Sequence, residues 1–378
     1  VKKILLIFCI FLSTFSLNAQ TDSSHLRISI ITCGPGEELY SVFGHTAIRI
    51  VDSINHSDIV YNYGTFDFED PNFNWKFARG KLNYYLSAYS MPDFMQEYVY
   101  EHRSVWEQTL NLTAAEKTVI QKALQTNLLP ANKNYKYEFM YDNCTSRVRD
   151  ILEKNVGFKV EKKLVNEGTT FRNQIHNYLD KGNMPWSKLG IDILLGSKTD
   201  KVMNIDETMF LPDYLLKGID SSSNKKFLQS KQLILKANEP QPNNSKHLPL
   251  IYFSIVCALL IFLSFLKNAA AIKTTKIIDS FLLYITGFLG LLILFMWFAT
   301  DHKECSNNYN LLWALPTNII PVFAFWKKKN WAKKYFKCTS FIYGLLVITW
   351  FVLPQQLNIA LLPLVFLLLL MSFRLSKQ

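Results

Sequence analysis

The last third of the chain restricts the fold more than any other part. Five apolar stretches lie at about 249–266, 277–299, 311–326, 336–353 and 356–373. Each approaches the ~20 residues that an α-helix needs to cross a bilayer, the third and fifth lying near the lower limit of length. The loops between them carry an uneven charge. Lys267, Lys273 and Lys276 follow the first stretch, and Lys327, Lys328, Lys329, Lys333, Lys334 and Lys337 follow the third. Arg374 and Lys377 end the chain, while the intervening loops at 300–310 and 354–356 hold Lys303 as their one cation. Cations retained on the cytoplasmic side place the preceding domain outside, the C-terminus inside, and an odd number of crossings between them.

The N-terminus agrees with that orientation. Lys2 and Lys3 precede an apolar run from Ile4 to Phe15, and Leu17-Asn-Ala19 supplies a small-residue cleavage site. Residues 1–19 thus read as a signal peptide, and the domain after it as exported to a bacterial periplasm. The net charge of +11 would ordinarily suggest a nucleic-acid partner. Yet residues 20–247 carry 27 Lys+Arg against 27 Asp+Glu, whereas 248–378 carry 12 against 3. The excess belongs to membrane flanks and not to a phosphate-binding face, so nucleic acid is excluded as a partner.

The exported part divides into a mixed segment, 20–165, a helical extension, 166–220, and a polar juxtamembrane linker, 221–247. Leu26–Thr32 alternates as a strand, and Phe43–Ile50 and Asp58–Tyr63 read as a hairpin. Helical patterns cover Pro92–Val105 and Thr113–Leu128, the second opened by Thr113 with Glu116 in the capping-box position. A further helix starts at Asn143 and ends at Gly157, with Val148, Ile151 and Leu152 on one face. The apolar run Met209–Leu216 is expected to pack beneath the core.

Two residues in this domain carry chemistry. His45 opens the strand Phe43-Gly-His-Thr-Ala-Ile-Arg-Ile50, and Cys144 stands in the first turn of the Asn143 helix. A helix N-terminus and a neighbouring imidazolium both favour thiolate, so the pair supplies a nucleophile and its base. Three cysteines, Cys33, Cys144 and Cys305, face the oxidising side; a Cys33–Cys144 disulfide is the structural alternative, and it would silence this chemistry. A base needs an orienting group, and Asn62 in the partner strand is the candidate third member. Arg49 shares the His45 face and is read either as a phosphate or carboxylate contact or as half of an ion pair. No H-x-x-x-H or C-x-x-C spacing points to a metal, and no dinucleotide or Walker fingerprint points to a cofactor.

The order of histidine strand before cysteine helix resembles the circularly permuted papain-like, NlpC-like enzymes. More closely, the chain is similar to the Lnb family of Bacteroidota lipoprotein N-acyltransferases. The stretches that carry this are Thr32–Glu37, Phe43–Arg49, Asp142–Arg147, Leu189–Gly196 and Asn308–Trp313. The resemblance implies an α+β fold: a permuted papain-like periplasmic domain followed by an all-α five-helix transmembrane domain in the bacterial inner membrane. It also implies acyl transfer from a phospholipid, through a Cys144 thioester, to the α-amino group of a diacylated lipoprotein, with no cofactor. The loop Thr300–Asn310 falls at the membrane face of the domain, where His302 and Asn308 are candidate contacts for headgroup or lipoprotein, ordinary hydration being the alternative. Two other readings remain: a peptidoglycan cysteine peptidase or amidase, and a noncatalytic membrane receptor or assembly module.

Overall fold

A computed structural model of the chain describes residues 24–222, 227–237, 244–327 and 329–377. The expected signal peptide, 1–19, lies outside the described residues. The exported part is built on one antiparallel sheet of seven strands in the order β6-β4-β3-β2-β1-β5-β7. These are β1 Leu26–Cys33, β2 His45–Asp52, β3 Ser57–Thr65, β4 Asn83–Ser90, β5 Val105–Leu110, β6 Asn134–Lys136 and β7 Leu228–Leu235. Strand β1 lies inside the sheet and is buried on both sides, its polar Ser29 and Thr32 included. Ile28 and Ile30 join Ile48 and Ile50 of β2 in one core, and Ile31, Cys33 and Ala47 face a second core.

The helices are α1 Phe73–Ala78, α2 Met91–Tyr100, α3 Ala114–Leu128 and α4 Cys144–Val156, followed by α5 Phe171–Lys181, α6 Pro185–Leu194, α7 Ile205–Thr208 and α8 Pro212–Asp220. Helix α4 lays Val148, Ile151 and Leu152 on the first core, while α2 lays Phe94 and Tyr98 on the second. Thr113 and Glu116 form the expected capping box at α3, and Gly157, at φ +65°, closes α4. Met209, Phe210, Leu211 and Leu215 are buried in the protein core.

Two parts of the exported region differ from the sequence reading. The helix expected over Pro92–Val105 stops at Tyr100, because His102 takes a positive φ and ends the helical path, and Val105 already belongs to β5. Residues 228–235, read as linker, form the edge strand β7 on β5. That strand is mostly exposed, so its sequence lacks the apolar alternation that marks a half-buried strand.

The membrane half contains α9 Leu248–Phe265, α10 Ala269–Phe298, α11 Pro321–Trp326, α12 Asn330–Thr349 and α13 Leu362–Ser376. Three helical segments among the described residues are long and apolar enough to span a bilayer: Leu248–Phe265, Ala269–Phe298 and Ile359–Ser376. The third expected span is not one helix. It breaks into 3₁₀ turns at Tyr309–Leu312 and Pro316–Ile319 and the short α11. Pro316 and Pro321 each lack the backbone donor that a continuous helix would need at those positions. Asn318 there donates to Thr286 (2.9 Å) and Tyr343 (3.1 Å) and accepts from Tyr335 (2.7 Å). Gly287 and Gly290 of α10 let the broken segment approach; a Cβ on Gly290 would fall 2.1 Å from the Ala314 carbonyl.

The two halves are tied along a polar seam. Asn308 donates to the carbonyls of Ile193 and Leu194, Gln355 to that of Leu195, and Gly196 to that of Glu304. At its centre the fully buried Arg172 binds Asp192 (2.7 Å) and Asp200 (2.9 Å), and Asn358 donates to the other Asp192 oxygen. Loops 299–308 and 355–358 therefore both lie at the end of the membrane helices that faces the exported domain.

Candidate active site

Strand β2 starts on His45 and helix α4 starts on Cys144, and the fold brings these two starts together. Thr46 and Thr145, the next residue of each element, are joined hydroxyl to hydroxyl at 3.0 Å. Asn143 fixes the helix start. Its Oδ1 accepts from the backbone N–H of Thr145 and Ser146, and its Nδ2 donates to the carbonyls of Phe139 and Phe210. Both lone pairs and both hydrogens of that buried amide are thus used in holding the start of α4 in place.

The antiparallel register pairs Ile48 with Tyr61, which puts Asn62 level with Ala47 and on the His45 face of the sheet. Asn62 Oδ1 lies 2.5 Å from His45 Nε2. A carbonyl oxygen only accepts, so Nε2 carries the hydrogen, and the other ring nitrogen is left for Cys144, to which His45 is also hydrogen-bonded. Cys144, His45 and Asn62 consequently form one hydrogen-bonded row.

The electrostatics of the row follow from its partners. Burial disfavours charge on Cys144, but the His45 imidazolium, its hydrogen bond, the Thr46 backbone and the Thr145 hydroxyl outweigh it and bring the thiol to about 7. On His45, burial lowers and the Cys144 thiolate raises; the thiolate, with Asn62, wins, and the imidazole lies above its ordinary range. Cys33 and Cys305 are the contrast: burial without a comparable partner pushes both thiols up to about 12. All three are free thiols, so Cys33 and Cys144 are not bridged. Alkylation of Cys144 by iodoacetamide, followed by peptide mapping, is expected to rise with pH through a midpoint of about 7. The rise should level off about two pH units above that midpoint, where the thiol is fully ionised; a midpoint at an ordinary thiol value would refute the ion pair.

The chain matches two family models, the Lnb N-terminal periplasmic domain over residues 14–177 and the Lnb transmembrane domain over residues 241–377. The chain belongs to the Lnb family. No curated protein and no solved structure matches it. This Lnb-family chain joins a periplasmic domain to a transmembrane domain, and its His45–Cys144 pair belongs to the first of them.

The remaining candidate residues of this Lnb-family chain are engaged elsewhere. Both sides of the Arg49 guanidinium are taken, by Asp58 (2.6 and 2.7 Å) and Glu107 (3.0 and 3.1 Å), which realises the ion-pair alternative. Asn308, buried, spends its amide on the Ile193 and Leu194 carbonyls and its oxygen on capping the turn at Tyr309. It is a structural tie of the seam. His302 is half-buried, with Nε2 3.2 Å from the Phe77 carbonyl, so it docks the outer loop against α1.

The sequence reading passed over two residues at the site. Gly64, at φ +93°, lies where a Cβ would be 3.7 Å from that of Cys144 and 3.9 Å from His45 Cε1, so glycine keeps the site open. Tyr135 is buried, its hydroxyl has no hydrogen-bond partner among the described residues, and its ionisation is opposed by burial and by Cys144. A glycine after alternating Tyr61-Asn-Tyr63 was the available signal for the first. Tyr135 sits in a three-residue strand too short to announce itself.

Proposed function

We propose that the protein is a thiol acyltransferase that N-acylates lipoproteins at the outer face of the inner membrane, with its C-terminus in the cytoplasm. The observation that carries this reading is the Cys144–His45–Asn62 row, held in a periplasmic domain that is hydrogen-bonded along its seam to membrane helices. In the first half-reaction the Cys144 thiolate attacks an ester carbonyl of a phospholipid. The C–S bond forms, the C–O bond breaks, and His45 gives its proton to the departing lysophospholipid oxygen. In the second, the α-amino group of a diacylated lipoprotein cysteine attacks the thioester. The C–N bond forms, the C–S bond breaks, and His45 takes the amine proton, restoring the thiolate–imidazolium pair.

The negative oxygen that develops in both steps needs donors. Asn143 takes the N–H groups of Thr145 and Ser146, which leaves that of Cys144 at the helix start for this role. The unpartnered Tyr135 hydroxyl is the second donor at the site. Asn62 keeps the imidazole aligned, as an orienting group does in other nucleophile–base pairs.

The test is depletion of the protein followed by mass spectrometry of lipoprotein N-termini. Loss of the N-linked acyl chain, with a hydroxylamine-labile acyl group trapped on Cys144 in the purified protein, is the expected result. Unchanged N-acylation with altered muropeptides would transfer the same residues to a peptidoglycan amidase or peptidase.

A further inference from the structure

Beside the seam lies an open cavity of about 500 Å³, between the sheet and the outer ends of the membrane helices. Its sheet side is formed by Lys136, Tyr137 and Glu138, and its membrane side by Trp297, Phe298 and the loop through Asp301 and Lys303. Trp297 and Phe298 stack at 4.8 Å at the end of the 30-residue apolar helix α10. Aromatic rings in that position mark the boundary between the hydrocarbon and the headgroups.

The walls alternate in sign. Lys136 pairs with Asp301 (3.1 Å) and Lys303 with Glu138 (2.5 Å), and the lysine side chains are 71% and 62% exposed. Ion pairs this open hold weakly and exchange readily for a ligand's charges. Lys198, also in the wall, is exposed and has no ion pair among the described residues.

Tyr137 joins this cavity to the nucleophile. It lies in the wall, and it packs against the same core that contains Cys144. From Tyr137 a continuous run of rings leads back towards the membrane: Tyr84 (4.6 Å), Phe66 (5.4 Å), Phe73 (5.7 Å) and Phe77 (6.1 Å), each distance measured from the ring before. Helix α1, which carries the last two, buries none of its residues and sets Trp75 against Phe295 of α10.

We propose that this cavity and ring run are the docking site of the acyl donor, and that the donor is a zwitterionic phospholipid with a phosphate and a terminal amine. Lys198 and Lys303 take the phosphate, Glu138 and Asp301 take the ammonium, and the acyl chain lies along the rings from α1 to Tyr137. The assignment rests on the acyl-transfer reading for its purpose, though the binding itself does not require turnover.

Binding is tested with the full-length Cys144→Ala protein in lipid nanodiscs, using phosphatidylethanolamine that carries a photoactivatable diazirine in its headgroup. Cross-links are expected at residues 136–138 and 297–303, reduced by Lys198→Glu. Labelling spread evenly over the lipid-facing surfaces of α9 to α13 would overturn the site. Equal labelling by a phosphatidylglycerol probe would overturn the zwitterionic assignment. In the enzyme with Cys144 intact, Lys198→Glu is expected to raise KM for phosphatidylethanolamine vesicles about tenfold, with Lys198→Arg restoring it. Cross-links at the cavity without acyl transfer from any phospholipid would support the docking site and remove the proposed function.

Discussion

Cys144→Ser is expected to lower lipoprotein N-acylation by roughly 10⁴-fold or more, and His45→Ala by a similar factor. Serine keeps the size of the side chain but not its acidity. Its hydroxyl is not ionised by a neighbouring imidazole at rest, whereas the Cys144 thiol is brought to about 7. The two residues act as one unit, so the double variant should be no worse than either single one. Both variants should remain folded, since Thr46–Thr145 and the Asn143 contacts hold β2 and α4 together without them. In vitro transfer to a synthetic diacylated lipopeptide measures the rate, and activity above a tenth of wild type in either variant would refute the mechanism.

Arg172→Met is expected to have the largest effect on stability, about 3–5 kcal/mol, because it strands a buried carboxylate. Arg172 and Asp192 are both fully buried and 2.7 Å apart. Burial pushes the Asp192 carboxyl up, but His176, Arg172 and Asn358 outweigh it and hold the group below the usual carboxylate range. Since the folded-state value is depressed, its stabilising contribution is present above the unfolded value and is lost as pH falls through the folded one. Without Arg172 the charge is poorly compensated, and lowering the pH relieves it by protonation. Thermal unfolding in detergent should therefore show a lower Tm at neutral pH and a smaller gap between variant and wild type in acid. An unchanged Tm at pH 7 would show that the seam does not depend on this pair.

What the sequence announces and what it conceals follow a physical line. The Thr113 and Asn143 caps and the Gly157 stop are local, and each acts within a turn of its own residue. Asn62 lies on the His45 face as the period of two requires, once the hairpin is recognised. Arg49 and Asn308 show where such reasoning ends. Their partners Glu107 and Ile193 are distant in sequence, and no local pattern says which polar side chain is already occupied. The broken third span is an intermediate case. Pro316 and Pro321 are visible signals, but hydropathy averages over them, and the buried Asn318 within the break is satisfied by Thr286, Tyr335 and Tyr343 from other segments.

Strand β7 sets a condition on how this protein can be divided. It is the last piece of the sheet to be synthesised, more than a hundred residues after β5, and it covers the β5 edge immediately before the chain enters the membrane. A soluble fragment ending at residue 177, where the match to the periplasmic family model stops, would leave β5 with a row of unpaired amides and carbonyls. It would also lack the buried run Met209–Leu211, including the Phe210 carbonyl that receives Asn143. The globule that can be cut from its anchor therefore extends through Leu235, and shorter pieces invite edge-to-edge association with one another.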